Sequence, residues 1–502
     1  MIEIKKLFGD TLIYGVSSVI ARVLNFLLVP LYTWKFMPSE YAVLAEIYAY
    51  AAFLIVLGSF GMETSFFRFS KEKNQADFSV KKNNSAVFSS SFLFLLMNAS
   101  VLFFISIFFS QNIAQNIGYA MYPEYIQYFL LIVAVDLTCI IPFAFLRQKN
   151  QAIKFATIKT INIFINIIFN LLLLVVVPHF YSSFEVSVEY VFLSNLIASI
   201  STLLILFPEI YRNVKYPDYQ IFKKMVGYSW PILVAGIAFV INETADKILL
   251  KYFLPSDGSE MEKLGVYAAC YKLTIFMTLF VQAYRFAAEP FFFNQFTKPN
   301  AKEIYSRMMQ LFILLSLYIF LFVVLHIDII KLMIRSHSSV GEISYHEGLV
   351  IIPIVLMANI FLGIYYNLSV WYKVTNKTKY GAGISLLGAG ITILLNIIFI
   401  PLYGYIASAW VTLICYGTMM IISFFLGQKH FKIHYKIKPI ALYFLLTLSV
   451  FYCSTLLKNQ GYNNIQIFNT TLFIICTIFI YTQVKNLMFD FSKKQHSLWK
   501  SE

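Results

Sequence analysis

The sequence is divided into long apolar blocks, each about as long as a helix that crosses a lipid bilayer. A hydrocarbon core about 30 Å thick needs roughly 20 helical residues. Hydrophobic residues make up 59% of the 502 residues and charged residues only 13%, so the chain predicts an all-α integral membrane protein. Read as helices, the blocks predict fourteen transmembrane spans: Thr11–Trp34, Tyr41–Met62, Ser85–Ser110, Pro123–Leu146, Thr157–Pro178, Ser187–Pro208, Tyr228–Leu254, Leu264–Ala288, Tyr305–Ile327, Gly348–Tyr372, Gly381–Ile400, Tyr403–Gly427, Pro439–Leu457 and Gln466–Val484.

Two other classes of protein with apolar segments do not match this pattern. An outer-membrane barrel has strands of about ten residues with polar alternate positions, whereas runs such as Leu171–Val177 are continuously apolar. A cleavable signal peptide has a shorter apolar core and a small-residue cleavage site. We therefore expect the first block to be a true span.

Lysine and arginine are unevenly distributed between the two sets of connections. Most of the 39 lie at the amino end, after the even-numbered spans and in the carboxyl tail. Because cytoplasmic loops are enriched in these residues, both termini are predicted to be cytoplasmic. This topology also accounts for the net charge of +14 without a nucleic-acid partner. The other set of connections holds Lys35, Lys251, Lys263, Lys331, Arg335 and Lys458.

Short motifs recur at a nearly constant separation, which indicates an internal repeat of six spans. Tyr41-Ala42 corresponds to Tyr267-Ala268, and Asn166–Phe169 recurs as Asn396–Phe399. Six is an even number of crossings, so the two copies have the same orientation. We predict an N-lobe (1–222) and a C-lobe (223–430) that face each other across a cleft, followed by helices 13 and 14 and a cytoplasmic tail (431–502).

Four basic side chains lie inside the predicted spans, where an unpaired cation is costly and usually faces a cavity or a partner. Arg22 is near the middle of span one, and Lys272 is deep in span eight. Lys247 and Arg285 lie closer to helix ends and have acidic residues four positions away, at Glu243 and Glu289, so ion pairs or snorkelling explain them equally well.

Acidic residues inside the spans are candidate sites for a coupling proton or sodium ion. The principal ones are Glu46, Asp136 and Asp246. The alternative is that they are counter-ions of nearby cations, with Asp136 as the candidate partner of Arg22.

The remaining polar residues of the spans favour structural roles. Asn162, Asn166 and Asn170 form one stripe on span five, for which interhelical hydrogen bonding is favoured over lining the cleft. The five cysteines have neither CxxC nor Cys/His spacing, so we expect small core residues, no metal site and no cofactor. These are Cys139, Cys270, Cys415, Cys453 and Cys476.

Several motifs resemble those of the Wzx-type polysaccharide flippases of the multidrug/oligosaccharidyl-lipid/polysaccharide exporter superfamily. The resemblance covers essentially the whole chain, but Ala42 and Ala407-Ser408-Ala409 replace glycine-containing positions of the family pattern. The matching segments are Asn396–Trp410, Arg22 with Phe26, Pro30 and Thr33, Pro38–Tyr41, Ser229–Pro231 and Asp246-Lys247.

The resemblance implies a flippase of the bacterial inner membrane. Such a protein moves undecaprenyl-diphosphate-linked oligosaccharide to the outer leaflet by alternating access, for a surface polysaccharide such as the O-antigen of lipopolysaccharide. Membrane lipids and H⁺ or Na⁺ are the other expected partners. A diphosphate headgroup needs cations in a wet cleft, so we predict Arg22 and Lys272 as principal headgroup ligands, with Lys247 and Arg285 as further candidates.

Two other function classes are weighed against this one. An ion-coupled multidrug exporter of the same superfamily would use carboxylates for organic cations, and the excess of intramembrane cations speaks mildly against it. A polysaccharide polymerase or ligase generally needs catalytic groups on a large outer loop. The longest outer connection, 328–347, contains only Arg335, His337 and His346 as a weak constellation. We therefore do not predict an enzyme.

Overall fold

The architecture is that of a computed structural model, which describes residues 19–20, 22–70, 77–296, 300–334, 343–375, 377–462 and 464–499. Within these ranges the chain forms helices and no strand. The all-helical fold class predicted from the apolar blocks is confirmed. The chain divides into two compact units, Met1–Ala268 and Ala269–Glu502.

The first unit contains the helices numbered α1 to α10 and the beginning of α11. The α7 helix continues through a π-helical turn, Leu172–Val176, into α8. The bounds are α1 Leu28–Lys35, α2 Pro38–Ser59, α3 Met62–Phe69, α4 Asp77–Phe108, α5 Ser110–Asn116, α6 Pro123–Gln148, α7 Ala152–Leu171, α8 Val177–Phe180, α9 Glu189–Asn213, α10 Tyr219–Phe253 and α11 Glu260–Lys272.

The second unit contains the end of α11 and the helices α12 to α20. Short 3-10 turns cover Lys331–Met333 and Tyr345–Ile351. The bounds are α12 Ile275–Gln295, α13 Ala301–Leu325, α14 Ile327–Ile330, α15 Ile352–Leu368, α16 Val370–Val374, α17 Lys379–Tyr403, α18 Tyr405–His430, α19 Ile437–Asn459 and α20 Ile465–Trp499.

Twelve helices of the described residues are long and apolar enough to cross a membrane. A thirteenth span results if Glu260–Lys272 and Ile275–Phe293, which meet at an angle of 50°, are taken as one. These thirteen correspond to predicted spans two to fourteen. Of predicted span one, residues 11–18 and 21 lie outside the described residues, so fourteen spans and the side on which the termini lie stay predictions.

Local sequence explains where α2 begins and ends. Pro38 occupies the first helical turn, where its missing N–H removes no helix bond. The Glu40 carboxylate accepts a hydrogen bond from the backbone N–H of Met37 at 2.9 Å, which caps the amino end. The helix stops at Phe60 and Gly61, which both adopt positive φ angles, and α3 then continues the same span.

Ion pairs within the first unit join connections on the same side of the helices. Arg147, after predicted span four, pairs with Glu63, after span two. Lys154 pairs with Glu209, at the end of span six. In a chain that crosses a membrane repeatedly, every second connection lies on the same side. Both ion pairs join connections that are two spans apart, as this rule requires.

The core of the first unit brings together helices that are distant in sequence. Met62 and Phe66 of α3 pack with Phe88 of α4, Phe145 of α6 and Met225 of α10. Because α10 packs here, the first compact unit extends beyond the predicted N-lobe boundary at residue 222. The lobe boundaries inferred from the repeat stay a prediction.

Gly265 of α11 lies where the backbone at the start of α2 leaves no room for a side chain. A Cβ atom on Gly265 would be 1.7 Å from the carbonyl oxygen of Pro38. We expect Gly265→Ala to destabilise the fold by about 3 kcal/mol or more, because backbone atoms cannot rotate away as a side chain can. The thermal unfolding midpoint of the purified protein measures this.

Gly390→Ala is the matched control, because a Cβ at Gly390 of α17 meets nothing within 4 Å. Alanine is the better helix former, so this variant should be as stable as the parent or slightly more stable. Equal unfolding midpoints for the two variants would contradict the close contact between α11 and α2.

Candidate functional site

The C-terminal turns of α10 carry a line of charged residues spaced by four. Glu243, Lys247 and Lys251 lie on one face of the helix. Asp246 is next to this line. The structure gives Lys251 and Lys247 separate acidic partners, so two clusters form within the first unit.

The first cluster is built around Glu46 of α2, whose side chain is completely buried. Lys251 Nζ lies 3.0 and 2.9 Å from the two carboxylate oxygens of Glu46. It also donates to the carbonyl oxygen of Ile117 at 2.6 Å. The Tyr119 hydroxyl donates to Glu46, and the ammonium group lies 4.0 Å from the centre of the Tyr119 ring. We call these residues the Glu46 cluster.

The Glu46 cluster satisfies the hydrogen-bonding capacity of its cation. An ammonium group has three donors, and Lys251 uses them on two carboxylate oxygens and one carbonyl. Burial and then the charge of Glu46 raise the pKa of Tyr119 far above its ordinary value, so this phenol stays protonated and donates. The cluster therefore ties α2, α10 and the connection before α6 together.

The second cluster is built around Asp246 of α10, which is 5% exposed. Lys247 Nζ lies 3.0 Å from one carboxylate oxygen, and the Tyr267 hydroxyl donates to the other at 2.6 Å. Tyr267 is fully buried on α11. Lys247 therefore pairs with its chain neighbour Asp246, and the pairing with Glu243 considered in the sequence analysis stays a prediction.

Asp136 of α6 lies in a different polar group of the first unit. It accepts a hydrogen bond from the side chain of Ser199 on α9, and Lys159 is the nearby cation. On the same face of α9, Asn195 donates to the Tyr48 hydroxyl of α2 at 3.0 Å. Ser199 is thus one hydrogen-bond partner of Asp136, and the pairing with Arg22 considered in the sequence analysis stays a prediction.

Arg22 is exposed on a helical segment, residues 22–26, that leads into α1. Exposure makes this residue accessible from outside the protein.

The asparagine stripe of α7 makes interhelical hydrogen bonds, as the sequence analysis favoured. Asn162 donates to Thr202 of α9 at 2.9 Å. Asn170, which is fully buried, accepts from the Tyr32 hydroxyl of α1 at 3.0 Å. In the repeat, Asn396 of α17 accepts from Ser408 of α18 at 2.7 Å.

The second unit contains the other two predicted cations. Arg285 of α12 is about half-exposed and lies 3.8 Å from Glu289, with its guanidinium 4.7 Å from the centre of the Tyr366 ring. Glu289 also pairs with Lys373 at 2.8 Å. Lys272 is exposed at the bend between α11 and α12.

Asp328 joins two connections that the sequence analysis placed on the same side. Its carboxylate lies 2.6 Å from Lys331 Nζ and 2.8 Å from Lys458 Nζ. Burial would raise the pKa of Asp328, but hydrogen bonds from the two lysines hold it below the ordinary value. His346 contacts the carbonyl oxygen of Ile334 at 3.0 Å, whereas Arg335 and His337 lie outside the described residues.

Two expectations about individual residues are wrong. Cys453 is exposed and Cys476 is half-buried, so only three of the five cysteines are core residues. Both lie on the last two spans, where little protein covers the helices. Lys251 was assigned to an outer connection, yet it belongs to α10 and is buried against Glu46.

Sequence reasoning missed three residues of these clusters, namely Lys251, Tyr119 and Tyr267. The four-residue spacing from Lys247 was the available signal for Lys251. Tyr267 was noticed only as a marker of the repeat, and nothing in the sequence distinguished Tyr119 from other interfacial tyrosines. Among the described residues, no group of three or more His, Cys, Asp or Glu has the arrangement of a metal site.

A known protein family matches the first part of this chain. The family model described as polysaccharide biosynthesis protein matches residues 7–296, more than half of the chain. The chain belongs to this polysaccharide biosynthesis family. No curated protein sequence matches it well enough to count as a relative.

Solved structures of membrane transporters share this fold. The lipid II flippase MurJ in an inward closed conformation aligns with a TM-score of 0.72 at 15% identity, over 95% of this chain and 100% of that chain. An inward-facing multidrug resistance MATE family transporter of the MOP superfamily aligns with a TM-score of 0.67 at 12% identity, over 84% and 95%. The family match and the apolar helices together support a multi-pass membrane protein of polysaccharide biosynthesis, with a fold that these transporters share.

Proposed function

We propose that this protein is a flippase for polyprenyl-diphosphate-linked oligosaccharide. It moves the substrate by alternating access from the cytoplasmic to the outer leaflet of a bacterial inner membrane, where the oligosaccharide enters a surface polysaccharide such as O-antigen. The proposal rests on one combination of observations. The family is one of polysaccharide biosynthesis, and the fold is one of membrane transport.

The chemistry of the intramembrane cations supports an anionic headgroup as substrate. A diphosphate cannot cross hydrocarbon without compensation for its charge, and guanidinium groups bind phosphate oxygens in a bidentate manner. We assign the principal headgroup contacts to Arg22 and Lys272, which lie within predicted spans and are both exposed.

Coupling to H⁺ or Na⁺ forms part of the proposal. Glu46 and Asp246 are engaged by lysines, which assigns them the counter-ion role. Asp136 has the hydroxyl of Ser199 as a hydrogen-bond donor, and we propose it as the candidate for a coupling ion. An anionic headgroup that moves outward is also favoured by an inside-negative membrane potential, at about 2.3 kcal/mol per charge per 100 mV.

Reconstitution into vesicles tests the proposed function. We expect the purified protein to make a fluorescently labelled polyprenyl-diphosphate oligosaccharide accessible to a quencher on the opposite side, whereas protein-free vesicles and vesicles with a heat-unfolded sample should not. Absence of any translocation by folded protein would refute the proposal.

The similarity to multidrug transporters favours a second candidate, an ion-coupled exporter of organic cations. The same vesicles distinguish the two, because an exporter would accumulate a fluorescent organic cation in response to an imposed H⁺ or Na⁺ gradient. A polymerase or ligase, the third class, would change the length or the attachment of the oligosaccharide, which product analysis detects.

A further inference from the structure

The segment between α18 and α19, residues 431–436, alternates between buried apolar and exposed basic side chains. We call it the strap. Ile433 is 4% exposed, and Phe431 and Tyr435 are partly buried. The residues between and after them, Lys432, His434 and Lys436, are exposed. Extended backbone places successive side chains on opposite sides, so one side of the strap is apolar and the other basic.

The apolar side holds the strap firmly on the second unit. Ile433 belongs to a cluster with Phe292 of α12 and Tyr305 of α13, and Phe431 and Tyr435 pack against that cluster. Two side chains bind the strap backbone. Ser306 donates to the carbonyl of His434, and Gln428 donates to the carbonyl of Ile433, each at 2.8 Å. The basic side chains are thus presented by a fixed support.

The positive charge of the strap is not neutralised by nearby acids. From Lys429 to Asn459 the sequence contains neither Asp nor Glu, and Lys429 and Lys438, at either end, are also exposed. Among the described residues, neither Lys432 nor Lys436 forms an ion pair. By contrast, Lys373 of the same unit is paired with Glu289.

The chain that follows the strap presents an apolar surface. Ile437 is 57% exposed at the first position of α19, and Leu442 and Leu445 are 52% and 63% exposed. At 1.5 Å per residue, Leu442 lies about 9 Å along the helix axis from Lys436. This distance is comparable to the thickness of one headgroup layer, about 5–8 Å on each side of the hydrocarbon core.

We infer that the strap is a binding site for the headgroups of anionic phospholipids. Basic residues directly beside a transmembrane helix attract anionic lipids, and here Lys432 and Lys436 stand on a fixed support at headgroup depth. The phosphate groups contact the lysines while the acyl chains lie along the exposed face of α19. This site is separate from the headgroup contacts proposed for the transported substrate.

Native mass spectrometry of the full-length protein in detergent tests this inference. Phosphatidylglycerol should bind more tightly than phosphatidylcholine, and Lys432→Gln with Lys436→Gln should weaken phosphatidylglycerol binding by about 25-fold, or about fivefold per lysine. The arginine pair Lys432→Arg with Lys436→Arg should retain binding, and 0.5 M salt should weaken it in the parent protein.

Lys223→Gln with Lys224→Gln is the matched control, because it removes the same charge from exposed positions of α10. We expect it to bind phosphatidylglycerol like the parent. Equal weakening in both double variants would overturn the inference, since it would indicate attraction to basic surface in general. Binding of an acidic polypeptide without preference for phosphatidylglycerol would also overturn it.

Discussion

Lys251→Met should strongly reduce the stability of the protein, by about 3–5 kcal/mol. The substitution leaves the carboxylate of Glu46 completely buried with its charge uncompensated, and it also removes the bond to the carbonyl of Ile117. The hydroxyl of Tyr119 remains as a donor to the carboxylate, but it carries no charge that would replace the ammonium group. The unfolding midpoint of the purified protein in detergent measures the loss.

Two further variants separate the buried charge from the side-chain packing. Glu46→Gln combined with Lys251→Met removes both charges, so it should recover a large part of the lost stability. Lys263→Met is the matched single control, because Lys263 pairs with the exposed Asp257; its midpoint should stay at the parent value. A Lys251→Met protein as stable as the parent would contradict the role assigned to the Glu46 cluster.

Arg22→Ala should reduce translocation of the lipid-linked oligosaccharide by about 10- to 100-fold. The estimate follows from the loss of at least one hydrogen bond to a charged group, worth about 1.5–3 kcal/mol. Arg22 is exposed on its helix, so the fold should tolerate alanine. The rate of translocation in reconstituted vesicles is the measurement, with the unfolding midpoint recorded on the same sample.

Arg22→Lys and Arg285→Ala make this test specific. Lysine keeps the charge but loses the bidentate geometry, so partial transport is expected. Arg285 already lies beside Glu289 and the Tyr366 ring, and its removal should leave most of the transport. Full transport by a well-folded Arg22→Ala protein would rule out Arg22 as a headgroup ligand.

The helices of the described residues could be predicted well because bilayer thickness sets their length. Predicted spans two to seven and nine to fourteen each match one helical segment of membrane length, with ends that differ by up to nine residues. Span eight was predicted as one helix, but the chain bends after Lys272. Hydropathy measures only how apolar a segment is, so it carries no signal for a bend inside an apolar segment.

The candidate site was less predictable because it depends on pairs of residues far apart in the chain. Spacing along one helix pointed to Glu289 as a neighbour of Arg285, and the structure places it there. The same reasoning pointed to Glu243 for Lys247 and did not indicate Asp246, with which Lys247 forms an ion pair. Glu46 and Lys251 are 205 positions apart, so no local pattern connects them.

By itself, the sequence determined that the described part of the chain is helical, about how long its apolar helices are and which residue types they contain. These properties follow from the hydrocarbon thickness and from the cost of exposing backbone and charge to lipid. Only the tertiary structure decided which charges are compensated. A buried carboxylate is stable where an ammonium group and a hydroxyl reach it within about 3 Å, and packing of α2 against α10 sets that distance for Glu46 and Lys251.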